Sequence, residues 1–227
     1  MSARRTVTAP SGRGAESVRP PVQGRPPLQN RVSPWGELVS TAARGTFMGN
    51  RGGCIHDDRQ RLTSRRWTSR RWICCLLEYK GWHREVMQPH RYTELFFLDE
   101  ATAFAAGHRP CALCRREDYN RFLELTGADG ADEIDLRLHA ERLDGNGRRL
   151  HRASVTELPD GAFVLRSDEP WLVLGGELLR WTPAGYTDRR AAEGTAEAIT
   201  PPTLMQVLRS NWEPAVPLLH PTATRRG

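Results

Sequence analysis

Long apolar runs are missing from this sequence of 227 residues. No stretch approaches the roughly 18 consecutive apolar residues that a membrane-spanning helix needs, which argues against a membrane-spanning class. The first residues are rich in Arg and Pro without an apolar segment behind them, so no secretory signal is predicted. We therefore expect a cytoplasmic protein, in a compartment that keeps thiols reduced.

The sequence has few cysteines, and their number is odd. The five cysteines cannot all pair within one chain, and in a reducing compartment cysteines serve more often as ligands or reactive groups than as disulfides. The sequence also lacks a glycine-rich nucleotide loop, a nucleophile elbow and a His-Glu-x-x-His pair. The sequence therefore carries none of these three common enzyme motifs.

The positive charge is concentrated in two regions. The formal net charge is +6. Residues 1–30 hold five arginines against one acidic residue, and residues 51–90 hold nine basic residues against four acidic ones. These regions are the candidate surfaces for an anionic partner.

Composition divides the chain into four parts. Residues 1–30 are rich in Pro, Gly, Ser and Arg, which predicts a disordered basic tail. Residues 31–127 and 128–220 are predicted as two regions, separated at the Gly- and Asp-rich stretch 127–132, and residues 221–227 as a loose tail. Regular structure is expected to begin near Gln29.

The expected fold class is α+β. In the first region, residues 72–87 predict a β-hairpin that turns at Lys80 and Gly81, and residues 92–98 predict a third strand. Asp99 is a good N-cap for a short helix that ends at Gly107, and a second helix is predicted from about residue 115 to 125.

The second region is predicted to be mostly strands. A helix is favoured just after Asp132, followed by an antiparallel meander of strands between residues 153 and 181. A C-terminal helix is predicted to start at Pro201, with Thr200 as its N-cap, and to end near Arg209.

The stretch HRPCALC, residues 108–114, carries the clearest chemical signal. Cys111 and Cys114 are spaced Cys-x-x-Cys at a tight turn, so both thiolates point to one side and reach a single ion. Cys114 precedes the second helix, whose N-terminal dipole favours a thiolate. Zn²⁺ is the expected cofactor, with a redox dithiol or structural cysteines as alternatives.

Residues 94–118, with the stretch FFLDEATAFAAGHRPCALCRRED, resemble the second half of the metal-binding domain of the Ada DNA-repair proteins. The resemblance implies zinc held by four cysteines, one of which accepts a methyl group from a DNA phosphotriester. Cys111 and Cys114 match the later pair of that domain. The earlier pair has no counterpart here at the expected spacing, and strands replace the helix-turn-helix region that follows in the Ada proteins.

The remaining ligands are therefore sought upstream, among Cys54, His56, Cys74 and Cys75. Adjacent residues of a strand point to opposite faces, so Cys74 and Cys75 are not both expected to bind one ion, and Cys75 is preferred. His56 is preferred to Cys54 because the carboxylates that follow it can orient an imidazole. The predicted zinc site consists of Cys75, Cys111, Cys114 and His56.

A duplicated TSRRW segment, at residues 63–67 and 68–72, combines arginines with tryptophans. Arginines neutralise phosphates and indoles stack on bases. The predicted nucleic-acid contacts are Arg65, Arg66, Trp67, Arg70 and Arg71. The alternative is a solvated charged loop whose tryptophans pack on the core.

The sequence thus predicts a zinc protein associated with nucleic acid, in repair or regulation. A metal-dependent hydrolase or nuclease is the first alternative, with water activated at an open zinc position or by the histidines of residues 139–151. A structural zinc module for protein–protein contacts is the second. A closed four-ligand site favours the first and last interpretations, and three ligands plus water favour the enzyme.

Overall fold

The computed structural model describes residues 26–82, 85–145 and 147–224. Most of the predicted basic tail, residues 1–25, lies outside this part of the chain. The first strand begins at Gln29. Residues 221–223 form a 3₁₀ turn in which Ala223 is buried. None of the helices in the described ranges is long and apolar enough to cross a membrane.

The first sheet has six strands and mixes parallel with antiparallel pairs. Its strands are β1 (Gln29–Val32), β2 (Leu38–Ser40), β3 (Phe47–Asn50), β4 (Ile73–Leu76), β5 (Leu95–Phe97) and β6 (Arg109–Pro110). They lie in the order β2-β1-β5-β3-β4-β6. β1 runs parallel to β5 and β4 runs parallel to β6, while the other neighbours are antiparallel.

The predicted hairpin over residues 72–87 is wrong. β4 ends at Leu76 and pairs with β3 and β6, not with the segment after Gly81 that the hairpin required. Trp82 and residues 85–87 are not in a strand, and residues 83–84 lie outside the described part. Met87 has a φ of 56°, and its N–H donates to the Glu94 carboxylate at 2.7 Å. The Glu94 side chain therefore binds the backbone N–H of Met87, for which the hairpin predicted a partner in a neighbouring strand.

The helices follow the local signals closely. In the described residues they are α1 (Glu100–Ala105), α2 (Arg116–Thr126), α3 (Ala131–Arg142) and α4 (Pro202–Arg209). Asp99 caps α1, since its Oδ1 accepts the N–H of Thr102 at 2.8 Å. The predicted cap of the last helix is wrong: the Thr200 hydroxyl accepts the N–H of Phe163 at 2.8 Å, and Pro201 takes the cap position.

The predicted antiparallel meander forms a second six-stranded sheet, in the order β13-β12-β11-β10-β14-β9. A separate two-stranded ribbon precedes it along the chain. These strands are β7 (Leu143–Asp144), β8 (Gly147–Arg148), β9 (His151–Ser154), β10 (Phe163–Arg166), β11 (Glu169–Leu174), β12 (Glu177–Thr182), β13 (Gly185–Ala191) and β14 (Thr195–Ala198). The fold class is α+β, as predicted.

One hydrophobic core joins the second sheet to the helices, and a separate one includes the buried side chains of the first sheet. Phe104 of α1 and Phe122 of α2 lie in the same buried cluster as Trp171 of β11 and Leu204 of α4. The ring centroids of Phe104 and Phe122 are 6.2 Å apart. Since α1 and α2 flank the Cys-x-x-Cys turn, this core fixes both ends of the turn.

Candidate metal centre

Three cysteines converge between the end of β4 and the start of α2. The Sγ atoms of Cys75, Cys111 and Cys114 all lie within 4.8 Å of one another. A zinc–sulfur bond is about 2.3 Å long, so three sulfur atoms at such separations reach one ion. The chain therefore has a three-thiol group that can hold a metal.

The parallel pairing of β4 with β6 brings the two cysteine segments together. The N–H of Cys111 donates to the carbonyl oxygen of Cys74 at 2.9 Å. Side chains alternate along a strand, so Cys74 and Cys75 point to opposite faces of the sheet. Cys74 is fully buried in the core beside Phe47, whereas Cys75 belongs to the three-thiol group.

Hydrogen bonds from two thiols and from backbone N–H groups favour the thiolate form of Cys111. The N–H of Leu113 donates to Cys111 Sγ at 3.4 Å. Hydrogen bonds from the thiols of Cys114 and Cys75, and then from the backbone, lower the pKa of Cys111. Hydrogen bonding to Cys111 is the main cause that raises the pKa of both Cys75 and Cys114. The three thiols therefore titrate together, and a metal that binds them must displace their protons.

Buried ion pairs fix the cysteine turn from both sides. Arg115, directly after the second cysteine, lies 2.5 Å from Glu100 of α1 and 2.7 Å from Asp118 of α2. Arg109, before the first cysteine, binds both carboxylate oxygens of Asp135 of α3 at 2.8 Å. These pairs tie the turn to three helices, so the thiols are held in place by a rigid frame.

The three-thiol group forms part of the wall of a pocket of about 380 Å³, here called the thiol pocket. Apolar and aromatic side chains make up most of its lining, and Leu113 at its edge is 57% exposed. The lining residues used below are Met48, Tyr79 and Phe96. Such a lining suits a ligand with an apolar part.

The structure places His56 apart from the three-thiol group. Its Nδ1 is 2.7 Å from the Thr93 hydroxyl and its Nε2 is 3.1 Å from the Gln88 carbonyl oxygen. Cys54 Sγ lies 3.7 Å from the same imidazole. Three of the four predicted ligands come together, and within the described residues no further His, Cys, Asp or Glu joins them.

The arginine–tryptophan segment, residues 63–71, is an exposed loop. Its exposed arginines are Arg65, Arg66, Arg70 and Arg71. Trp67 is half-buried, with its ring centroid 5.8 Å from that of Trp72 and 6.0 Å from that of His139. Arg71 forms an exposed ion pair with Asp132 at 2.9 Å. The loop therefore presents guanidinium groups around one partly accessible indole.

The histidines considered as an alternative acid–base site have structural partners. The Glu141 carboxylate accepts the N–H and the hydroxyl of Thr203 at 2.9 and 2.6 Å, at the start of α4. His151 Nε2 is 3.0 Å from the Glu141 carbonyl oxygen, and His139 Nδ1 is 3.1 Å from Arg142. These groups therefore do not converge on one reacting position.

Sequence reasoning missed a buried stack around Trp72. The guanidinium carbons of Arg51 and Arg142 each lie 3.9 Å from the centroid of its indole. Two such groups at that distance must occupy opposite faces of the ring. The three residues are far apart in the sequence, so no local spacing indicates the contact.

Comparison with known proteins identifies no related protein. The chain matches no protein-family model, and no curated protein or solved structure matches it at a significant level. The fold and the site define an α+β protein with a three-cysteine group that can hold a metal ion. Its function must be argued from that group and from the surfaces around it.

Proposed function

We propose that this chain is a zinc enzyme in which Cys75, Cys111 and Cys114 hold the ion and the fourth coordination position faces the thiol pocket. The observation that carries the proposal is that three sulfur atoms within 4.8 Å of one another line a pocket of about 380 Å³. Thiolates favour soft and borderline ions, and zinc binds such ligands tetrahedrally. Three protein ligands therefore leave one position for another group.

The pocket favours catalysis over a purely structural role. Structural zinc sites are closed by four protein ligands, whereas catalytic sites keep a position for water or substrate. The pocket has the size of a small-molecule site. When bound, zinc would supply Lewis-acid polarisation or an activated water.

The residues around the thiols select the substrate in this proposal. Phe96, Tyr79 and Met48 present apolar surface to the pocket, so they bind an apolar or aromatic part of the substrate. Burial of that part removes water from the thiol group. Arg115 and Arg109 keep the thiols in position through their buried ion pairs and do not contact the substrate.

Replacement of zinc by Co²⁺ tests the open position. We expect intense thiolate-to-cobalt absorption and tetrahedral d–d bands, which shift when imidazole or a small thiol is added. Cys114→Ser should remove part of the thiolate absorption. Cys54→Ser is the matched control and should leave the spectrum unchanged, because Cys54 lies outside the group. A four-thiolate spectrum that does not respond to external ligands would contradict the proposal and favour a structural module.

A second candidate function is nucleic-acid binding by the loop of residues 63–71. The supporting observation is the set of exposed arginines around half-buried Trp67. Arginines pair with phosphates and an accessible indole stacks on an unpaired base. The resemblance of residues 94–118 to the Ada metal-binding domain points to the same kind of partner.

The loop proposal is tested by replacing Arg65, Arg66, Arg70 and Arg71 with glutamine. Affinity for a single-stranded oligonucleotide should fall at least about tenfold at moderate salt, because log K changes by about −0.7 per phosphate contact with log salt concentration. Zinc content should not change. A variant that lacks residues 1–25 controls for the basic tail. If the quadruple variant binds like the parent and only the tail deletion weakens binding, the loop is a solvated surface.

A further inference from the structure

A second pocket, of about 440 Å³, lies beside the Trp72 stack; it is here called the arginine pocket. Trp72 lines this pocket, whereas the next residue, Ile73, lines the thiol pocket. The two pockets therefore separate where the chain enters β4. The charged and aromatic residues of the arginine pocket are Trp35, Trp67, Trp72, Arg51, Arg66, Arg148 and Glu37.

Arg51 is the most deeply buried of these charges, with 2% of its surface exposed. Its Nε donates to His108 Nε2 at 3.3 Å, and its Nη2 donates to the Gly36 carbonyl oxygen at 2.8 Å. A guanidinium has five N–H donors, so others remain for a ligand. Among the described residues no carboxylate pairs with Arg51, and an unpaired buried charge is unfavourable.

Two more guanidinium groups, one in this pocket and one beyond Trp72, also form no ion pair with a carboxylate within the described ranges. Arg148 donates to the carbonyl oxygens of Ala105, Ala106 and Ile199, and its Nε is buried without a partner there. Arg142, on the other face of Trp72, donates to the carbonyl oxygen of Gly107 at 2.9 Å.

The protein itself supplies little negative charge against Arg51 and Arg148. Burial, and then the charges of Arg142, Arg148 and Arg66, lower the pKa of Arg51. Burial also lowers the pKa of Arg148 to about 9. Glu37, the carboxylate among the lining residues, is exposed. An anion in the pocket would relieve this repulsion, since arginine recognises phosphate with paired donors.

We infer that the arginine pocket binds a nucleoside phosphate, with the phosphate paired to Arg51, Arg66 and Arg148 and the base against Trp35 and Trp67. Trp35 and Trp67 are half-buried and provide flat apolar faces, and phosphate with a planar base is the chemistry that uses both kinds of group. A free nucleotide and a nucleic-acid strand share this chemistry. The inference deepens the nucleic-acid proposal, with which it shares Arg66 and Trp67, and it does not depend on zinc.

Calorimetric titration of the full chain tests the inference with AMP, adenosine, inorganic phosphate and a short single-stranded oligonucleotide. AMP should bind more tightly than adenosine or phosphate, because it engages both parts of the pocket. Arg66→Gln should weaken AMP binding about tenfold, the loss expected for a charge-assisted hydrogen bond. The matched control is Arg59→Gln, an exposed arginine that belongs neither to the loop of residues 63–71 nor to the lining of the pocket, and it should bind AMP like the parent.

The ligands also separate this inference from the loop proposal. If AMP binds and competes with the oligonucleotide, the pocket accepts a nucleotide of a nucleic-acid strand. If AMP binds while the oligonucleotide does not, the natural ligand of the pocket is a free nucleotide. Both outcomes support the inference. Absence of AMP binding overturns it, even where the oligonucleotide binds and the loop proposal stands. Equal effects of Arg66→Gln and Arg59→Gln on AMP binding also overturn it.

Discussion

The N–H of Cys111 donates to the carbonyl oxygen of Cys74, with 2.9 Å between nitrogen and oxygen. The bond continues the parallel pairing of β4 with β6, and it sets the first cysteine of the turn beside the strand that carries Cys75. The three-thiol group therefore depends on the sheet as much as on the turn. Changes that disturb the sheet or the ion pairs around the turn should alter the group.

The buried pair of Arg109 and Asp135 should contribute strongly to stability. Asp135→Ala leaves Arg109 charged and buried, with both side chains about 3% exposed in the parent. Loss of one partner of a buried pair costs about 3–5 kcal/mol. Asp132→Ala in the same helix removes only the exposed pair with Arg71 and should cost less than about 1 kcal/mol. Urea unfolding measures both, and equal losses would show that Arg109 is not held by this pair.

Gly49 of β3 should tolerate no side chain. A Cβ there would lie 2.1 Å from the carbonyl oxygen of Ile73, in the strand that carries Cys75. Gly49→Ala should therefore destabilise the fold by at least about 1–3 kcal/mol and lower the metal content. The control is Gly130→Ala, where no atom lies within 4 Å of the new Cβ. Thermal unfolding and metal analysis of the two variants test this prediction. Equal unfolding temperatures and equal metal contents would mean that β3 and β4 do not pair as described.

His108 should make the protein less stable in acid. Burial, and then the charges of Arg51 and Arg142, lower its pKa well below the ordinary 6.5. In the unfolded chain the imidazole of His108 is protonated near pH 6.5, whereas in the folded chain it stays neutral to lower pH. The contribution of His108 to stability is therefore present above pH 6.5 and is lost as the pH falls toward the folded pKa. The free energy of unfolding should fall by up to about 1.4 kcal/mol per pH unit.

Urea unfolding between about pH 8 and pH 5 measures this slope. His108→Asn should flatten it, whatever the variant does to overall stability, whereas His90→Asn at an exposed position should leave it unchanged. An unaltered slope in His108→Asn would mean that other groups govern the acid sensitivity.

Local signals in the sequence were sufficient for the helices. The Asp99 cap acts on Thr102, three residues away, and Gly127 ends α2 in the left-handed conformation. Each of these signals needs only neighbouring residues, so it can be recognised without knowledge of the tertiary structure. The same is true of the Cys-x-x-Cys turn.

Pairing between distant segments could not be predicted in this way. β4 carries aromatic and apolar residues that suit a hairpin, yet its partners are β3 and the short β6. Alternation along the strand separates Cys74 from Cys75, but only the sheet decides which face holds the other thiols. The contacts of Trp72 with Arg51 and Arg142 likewise require a folded chain.

The zinc content of two neighbouring variants tests the central claim most directly. Parent protein purified in chelator-free buffer should hold one zinc per chain. Cys74→Ala, in the core, should keep it, and Cys75→Ala, in the three-thiol group, should lose it, with circular dichroism as the check that both fold. A parent without zinc, or a folded Cys75→Ala variant that keeps its zinc while Cys74→Ala loses it, would contradict the account.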